Sequence, residues 1–226
     1  MGYATNTAIN FPYCDASKAD AAVWVLEKVA DIISYTVTDE TGNKYSGTYL
    51  GTAGVDKPTF TGVYEYELTN EAWNGVNYTA DIVFPVPLEN VMILPFEGST
   101  GIRYYVDANN NVKATKTLPG ANATAPALDD YLWKFEPLFN NGKFTFKIKS
   151  VVKNAYMTTA KTTAGHGEGY VKISTVATDT PMEFTIAEGN RLKIEGLTNL
   201  YLSTGSNKQR RLLFVMNMVC LLTPSV

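Results

Sequence analysis

The chain has 226 residues, of which 45% are hydrophobic and 12% aromatic, and its formal net charge is −3. This length and hydrophobic content are sufficient for a packed core in one large domain or two small ones. Binding to nucleic acid needs clustered Lys and Arg, so this charge gives no reason to expect nucleic acid as a partner. The apolar run 212–222 is shorter than the roughly 20 residues of a spanning helix, and no membrane span is predicted.

Residues 1–33 are expected to form an irregular segment followed by a helix. A secretory signal, with basic and then apolar residues, is not readable at the N-terminus. From residue 15, Asp15 or Ser17 can cap a helix. Apolar residues then recur at three- and four-residue spacings, as they do on one face of an α-helix: Ala22, Val25, Leu26, Val29 and Ile33.

Residues 34–88 are expected to form a small antiparallel β module, because the apolar period changes to two. Residues 34–50 read as a hairpin whose turn contains Gly42, a residue that tolerates positive φ. Residues 63–68 and 76–84 read as two further strands. Pro85 and Pro87 end the module, since proline cannot continue a central ladder. A unit of this size is marginal alone and is expected to lean on its neighbours.

Residues 89–226 contain a repeated pattern, which predicts a β-trefoil-like domain. In residues 132–158 and again in 182–204, an aromatic strand, a Gly-containing turn, a second strand and a short Asn-x-Tyr strand follow one another. Residues 103–105 align as a third copy, and three units of roughly 40–50 residues are typical of a trefoil. The apolar run after residue 210 is either a buried closing strand or an altered C-terminus.

Residues 131–159 (YLWKFEP…NGKFTFKIKSVVKNAYMTT) and 184–204 (FTIAEGNRLKIEGLTNLYLST) resemble ricin-type β-trefoil modules. More narrowly, they are similar to repeats that follow a small β domain in secreted or surface proteins of gut Bacteroidetes. The resemblance covers residues from about 34 to 205 and includes no catalytic motif. It implies a mainly β fold, an extracellular or cell-surface location and recognition of carbohydrate. The Gln-x-Trp mark of ricin-type lectins is absent, since Leu132 follows Tyr131 before Trp133.

The first turn of the repeat region holds the ligand-binding candidates. Sugar sites combine an aromatic face with carboxylate or amide groups that bond paired hydroxyls. Tyr105, Asp107, Asn109 and Asn110 supply these groups, and the resemblance places an acid at this turn. The alternative is a turn without a ligand, because Asp-Ala-Asn-Asn-Asn is also an ordinary turn composition.

No catalytic, metal or cofactor constellation is predicted. His166 is the only histidine and has no nucleophile motif beside it. Cys14 and Cys220 either pair or are independent thiols, and no metal-ligand spacing surrounds them. Paired carboxylates for glycoside hydrolysis would have to come from residues that read as exposed strand or loop acids: Glu65, Glu67, Asp129 and Asp130.

The predicted function is a non-catalytic extracellular binding module that recognises carbohydrate at the cell surface. The alternative is a structural or adhesive spacer of a larger surface protein, with no small-molecule ligand. The expected partner is therefore a glycan or a surface protein. The sequence leaves the oligomeric state and the identity of the glycan open.

Overall fold

The computed structural model describes residues 3–5, 12–14, 29–94, 102–160, 170–174, 179–196, 201–202 and 214–217. The first strands are β1 Tyr3–Thr5, β2 Pro12–Cys14, β3 Asp31–Thr38, β4 Lys44–Gly51, β5 Glu67–Asn74, β6 Asn77–Val83, β7 Val91–Leu94, β8 Arg103–Val106 and β9 Val112–Thr115. They are followed by β10 Trp133–Asn140, β11 Lys143–Ser150, β12 Ala155–Ala160, β13 Tyr170–Ser174, β14 Glu183–Ala187, β15 Arg191–Ile194 and β16 Phe214–Asn217. Short 3₁₀ helices span Leu128–Tyr131 and Glu188–Asn190. The mainly β fold class is confirmed.

The first sheet has the strand order β4-β3-β6-β5. The predicted hairpin is confirmed, since β3 and β4 pair antiparallel from Asp31↔Gly51 to Thr38↔Lys44. The prediction of a purely antiparallel module is wrong, because β3 pairs with β6 in parallel. The chain reaches β6 through β5, which lies on the outer side of β6 and pairs with it antiparallel. The sheet is therefore mixed.

The helix predicted for residues 15–33 does not extend to its predicted end. Residues 15–28 lie outside the described residues. Residues 31–33 belong to β3, where Ile33 is fully buried and Ile32 is 67% exposed. This alternation is that of a strand with one buried face. Pairing with β4 therefore decides the conformation of these residues, although the spacing of their apolar side chains predicts a helix.

The larger sheet has the order β13-β12-β11-β10-β7-β16, and β14 and β15 attach to it through β11. The two hairpins predicted from the repeat are present as β10–β11 and β14–β15. Asn141 and Gly142, with φ of 48° and 78°, form the two-residue turn that suits a twisted hairpin. β8 and β9 pair as a separate two-stranded sheet. The threefold trefoil arrangement stays a prediction.

A bridging segment, residues 59–64, joins the first module to both hairpins. Thr61 exchanges two backbone hydrogen bonds of 2.8–2.9 Å with the β10–β11 hairpin. Gly62 and Tyr64 exchange two more, of 2.8–2.9 Å, with Ile186 of β14. The strand predicted for residues 63–68 is therefore wrong at its start. Val63 bridges to Ile186 instead, and β5 begins only at Glu67.

The buried core is continuous across the two predicted domains. Tyr45, Phe60 and Phe84 of the first module pack edge-on against Phe144 of β11, with ring centroids 4.9, 5.4 and 5.0 Å apart. Trp133 is fully buried in the same cluster. The division into domains at residues 34–88 and 89–226 stays a prediction. In the part of the chain that the structure describes, no helix is long and apolar enough to cross a membrane.

Candidate functional site

An open groove lies between the β8–β9 hairpin and residues 115–130. Its volume is about 460 Å³. The hairpin contributes Tyr105, Asp107 and Thr115 to its lining. Lys153, in the turn after β11, closes another part of the wall. The groove is thus built from three segments that are distant in the sequence.

Tyr105 gives the groove an aromatic wall. Along β8, Tyr104 and Val106 are buried, whereas Tyr105 between them is only partly buried. Its ring packs against that of Tyr131, with centroids 5.6 Å apart. The Tyr131 hydroxyl in turn donates a 2.9 Å hydrogen bond to the carbonyl of Thr117. These contacts fix the orientation of the Tyr105 ring at the groove.

The carboxylate of Asp107 is engaged within its own turn. Its Oδ1 accepts backbone hydrogen bonds from Asn109 at 2.9 Å and from Asn111 at 2.8 Å. Its Oδ2 forms an ion pair of 2.7 Å with the Lys113 ammonium. The turn places Asn110 at a φ of 61°, a conformation that Asn tolerates. Asp107 therefore holds the hairpin that presents Tyr105.

The pKa of Asp107 reflects this set of contacts. Burial raises it, but the hydrogen bonds from Lys113 and Asn111, and that from the Asn109 backbone, outweigh burial and lower the pKa from 3.8 to about 2. Hydrogen bonds to the charged form of a carboxyl favour that form. Asp107 is consequently ionised throughout the ordinary pH range.

A second turn in the chain has the same chemistry. Asp39 accepts backbone hydrogen bonds from Thr41 at 2.9 Å and Asn43 at 3.0 Å through Oδ1. Gly42, with φ of 87°, stands where the other turn has Asn110. The shared pattern is Asp-x-Thr/Asn-Gly/Asn-Asn. Because this pattern recurs in the first module, the turn interpretation accounts for the position of Asp107.

The loop wall of the groove is also held by internal hydrogen bonds. Asn122 Oδ1 accepts from the Thr124 backbone at 3.0 Å and from its hydroxyl at 2.8 Å. Asp130 Oδ2 accepts from the Ala127 backbone at 2.9 Å. These bonds rigidify the loop, which ends in the short 3₁₀ helix Leu128–Tyr131. Among the described residues, none forms a hydrogen bond or ion pair with the Lys153 ammonium.

The groove includes part of the predicted site. Tyr105 and Asp107 line it, whereas Asn109 and Asn110 stand at the tip of the turn outside the lining. Sequence reasoning missed the lining residues of the loop and of the turn after β11. The signal available was the polar loop 118–130, which no strand pattern explained. Asp130 was considered only as a candidate hydrolase acid, and the polar residues missed altogether are Thr115, Thr117, Asn122, Thr124 and Lys153.

The other candidate residues do not join this site. Glu65, Glu67 and Asp129 are exposed and outside the groove lining, and only Asp130 of the four acids is part of it. His166 and Cys220 lie outside the described residues, and Cys14 is the last residue of β2. Within the described ranges, no group of three or more His, Cys, Asp or Glu side chains could hold a metal ion.

Comparisons of the chain with protein-family models, with curated proteins and with solved structures found no match. Function is therefore inferred from the groove and its chemistry.

Proposed function

We propose that the chain is a non-catalytic, extracellular or cell-surface binding module that recognises carbohydrate in this groove. The observation that carries the proposal is Tyr105, an aromatic ring fixed beside hydroxyl, amide and carboxylate groups. A pyranose ring offers an apolar face to an aromatic ring and hydroxyls to such polar groups, so the two surfaces are complementary.

The groove also favours this proposal over the main alternative. A structural spacer needs no concave polar site with an aromatic wall near Asp107. Such a groove is present between the β8–β9 hairpin and the loop, which supports binding. Asp107 enters the proposal as the residue that fixes the hairpin, since its carboxylate is already bonded to Asn109, Asn111 and Lys113.

The test is a glycan array followed by NMR titration of any glycan that binds. Tyr105→Ala is expected to weaken binding by about tenfold, because stacking on the ring is lost. Tyr105→Phe keeps the ring and is expected to retain most of the affinity. Tyr64→Ala is the matched control, because Tyr64 is 56% exposed and outside the groove. No binding to any glycan at millimolar concentration, or equal losses in both alanine variants, contradicts the proposal.

A second candidate, the adhesive spacer, is favoured by one pair of side chains. Ile32 and Leu50 are direct partners on β3 and β4, and they are 67% and 72% exposed. Adjacent exposed apolar side chains are typical of a contact with another protein surface. If this function holds, the protein self-associates in sedimentation experiments and Ile32→Ser with Leu50→Ser abolishes association. A monomer at all concentrations argues against self-association through this pair.

We also propose that the repeat strands belong to a trefoil-like arrangement. Its support is the equivalence of the two hairpins with the tyrosine that follows each. Tyr156 pairs with Lys149 of β11, and Tyr201 bridges to Lys193 of β15. Each tyrosine ring also lies 5.1–5.3 Å from a cationic group, Arg191 in the second case. A crystal structure with pseudo-threefold symmetry among the three repeats is the expected outcome, and its lack would reject the trefoil.

A further inference from the structure

We propose that the groove selects acidic sugars, and that the ammonium group of Lys153 binds the carboxylate of the ligand. This inference rests on the proposed carbohydrate function, because it assigns a substrate class to the same groove. Its basis is the balance between hydrogen-bond donors and acceptors that the protein leaves available along the lining.

The side-chain acceptors of Asp107 and Asn122 in the groove are already used. Both oxygens of Asp107 are occupied by Asn109, Asn111 and Lys113. The Asn122 amide oxygen accepts two hydrogen bonds from Thr124. A side-chain amide or carboxylate oxygen has about two lone pairs, so Asn122 has little capacity left to accept from a ligand hydroxyl.

Several donors of the groove are not used within the part of the chain that the structure describes. The Lys153 ammonium has three N–H groups and no ion pair there, although it is a lining residue. The Asn122 side-chain N–H₂ likewise makes no hydrogen bond among the described residues. The Thr115 hydroxyl donates to the Thr117 hydroxyl at 3.1 Å, which leaves the Thr117 proton available. The groove thus offers a surplus of donors.

A ligand rich in acceptors matches this surplus. A carboxylate is acceptor-only, and a charge-assisted hydrogen bond to an ammonium is about twice as strong as a neutral one. A neutral sugar would desolvate Lys153 without supplying a charged partner, which costs free energy. Asp130 has one oxygen, Oδ1, that makes no hydrogen bond among the described residues, and this oxygen can accept a hydrogen bond from a ring hydroxyl. The matching ligand carries hydroxyls and a carboxylate on one ring, as uronic acids do.

The experiment compares two pairs of ligands that differ only at C6. Methyl α-D-galacturonide is compared with methyl α-D-galactoside, and methyl α-D-glucuronide with methyl α-D-glucoside, by NMR titration of the full chain. The uronide of at least one pair is expected to bind about tenfold more tightly than its neutral partner. This preference is expected to shrink as salt rises, because exposed charge interactions are screened.

Lys153→Met removes the charge and keeps the apolar stem. We expect it to abolish the preference for the uronide, so that the two sugars of a pair bind with similar affinity. Lys116→Met is the matched control, because Lys116 is exposed, lies between Thr115 and Thr117, and is outside the groove lining. It should keep the preference. Thermal unfolding of both variants checks that they fold.

The outcomes distinguish this inference from the function on which it rests. Equal binding of uronide and neutral sugar, lost in Tyr105→Ala, overturns the selection of acidic sugars and leaves carbohydrate recognition standing. A preference that survives Lys153→Met overturns the role of Lys153. Binding of neither ligand of either pair, when a glycan array finds another neutral ligand, overturns the inference alone. An array without any bound glycan overturns both.

Discussion

The backbone carbonyl of Phe144 occupies the space that a Cβ atom on Gly62 would need. Gly62 also has a φ of +81°, a conformation that residues with a side chain rarely adopt. The bridging segment, residues 59–64, approaches β11 this closely because it exchanges backbone hydrogen bonds with both hairpins. Glycine is required at this point for two separate reasons.

Gly62→Ala is therefore expected to destabilise the protein by about 3 kcal/mol or more, since backbone strain and steric overlap add. Gly54→Ala is the control, because Gly54 has a φ of +80° and nothing within 4 Å of the added Cβ. The control should lose only about 1 kcal/mol from the strained φ. Urea unfolding measures both values, and equal losses in the two variants would contradict the close approach.

Two buried tyrosines should respond to loss of the hydroxyl in opposite ways. The hydroxyl of Tyr104 is buried and has no hydrogen-bond partner among the described residues, so its burial costs free energy. Tyr104→Phe is expected to stabilise the protein by about 1 kcal/mol. Tyr131→Phe, which removes a 2.9 Å hydrogen bond to Thr117, is expected to destabilise it by about 1 kcal/mol. Thermal and urea unfolding decide the signs, and a destabilised Tyr104→Phe shows that its hydroxyl is bonded.

Asp107 should make stability depend on pH in the acid range. Its pKa falls from 3.8 to about 2 on folding. A lowered folded-state pKa contributes stability that is present above about pH 4 and is lost as the pH falls through 2. Asp107→Asn is expected to lower stability by about 1–2 kcal/mol at pH 7 and to flatten the loss between pH 4 and pH 2.

Asp129→Asn is the control for this pH dependence, because Asp129 is exposed and its carboxylate makes no hydrogen bond or ion pair with the described residues. Urea unfolding at a series of pH values gives the slopes. If the stability of Asp107→Asn falls between pH 4 and pH 2 as steeply as that of the wild type, the turn contacts of Asp107 are not the cause of this pH dependence.

The domain boundary at residue 88 can be tested by dissection. Phe144 loses its contacts with Tyr45, Phe60 and Phe84 when residues 89–226 are produced alone. The fragment is expected to unfold without the cooperative transition of the whole chain, because it exposes a large part of a shared aromatic core. Differential scanning calorimetry measures this. A fragment with the same midpoint as the whole chain would establish an independent domain.

Local patterns predicted much of the strand structure. The alternation of Tyr35 and Val37 and the turn at Gly42 identified the β3–β4 hairpin. The Gly-containing turn predicted between the first two repeat strands is the turn at Gly142 between β10 and β11. These features depend on residues that are close in the sequence. Side-chain period and positive φ are set locally, and they therefore remain readable before the tertiary structure is known.

The predictions that proved wrong concern elements whose conformation is set by contacts between residues distant in the sequence. Val63 continues an alternating pattern, but its backbone partner is Ile186 rather than a neighbouring strand. The parallel pairing of β3 with β6 likewise depends on the path of the chain between β4 and β5. Ile33 fits a helical stripe and nevertheless lies in β3, because pairing with Tyr49 of β4 overrides local preference. No local pattern encodes these partners.

The same distinction applies to the candidate site: residues that stand together in the sequence were identified, and those that only the fold brings together were missed. Tyr105 and Asp107 were identified because aromatic and acidic residues stand together at one turn. Lys153 and Asn122 were missed as groove residues because the groove forms only when two loops meet the β8–β9 hairpin. The ligand-binding role predicted for Asp107 differs from the contacts that it makes, since Asn111 and Lys113 bond its carboxylate within the turn.

The pairing of β7 with β16 sets the order in which the larger sheet can be completed during synthesis. β7 meets β10 only at Val91↔Trp133, whereas β16 pairs with all four residues of β7. A ribosome needs on the order of ten seconds to add the intervening chain. For that time β7, whose residues Met92 and Ile93 are buried in the finished fold, is an apolar strand edge open to other chains. Whether this edge pairs with other chains in the cell therefore depends on how long it stays uncovered during synthesis, as well as on the stability of the finished fold.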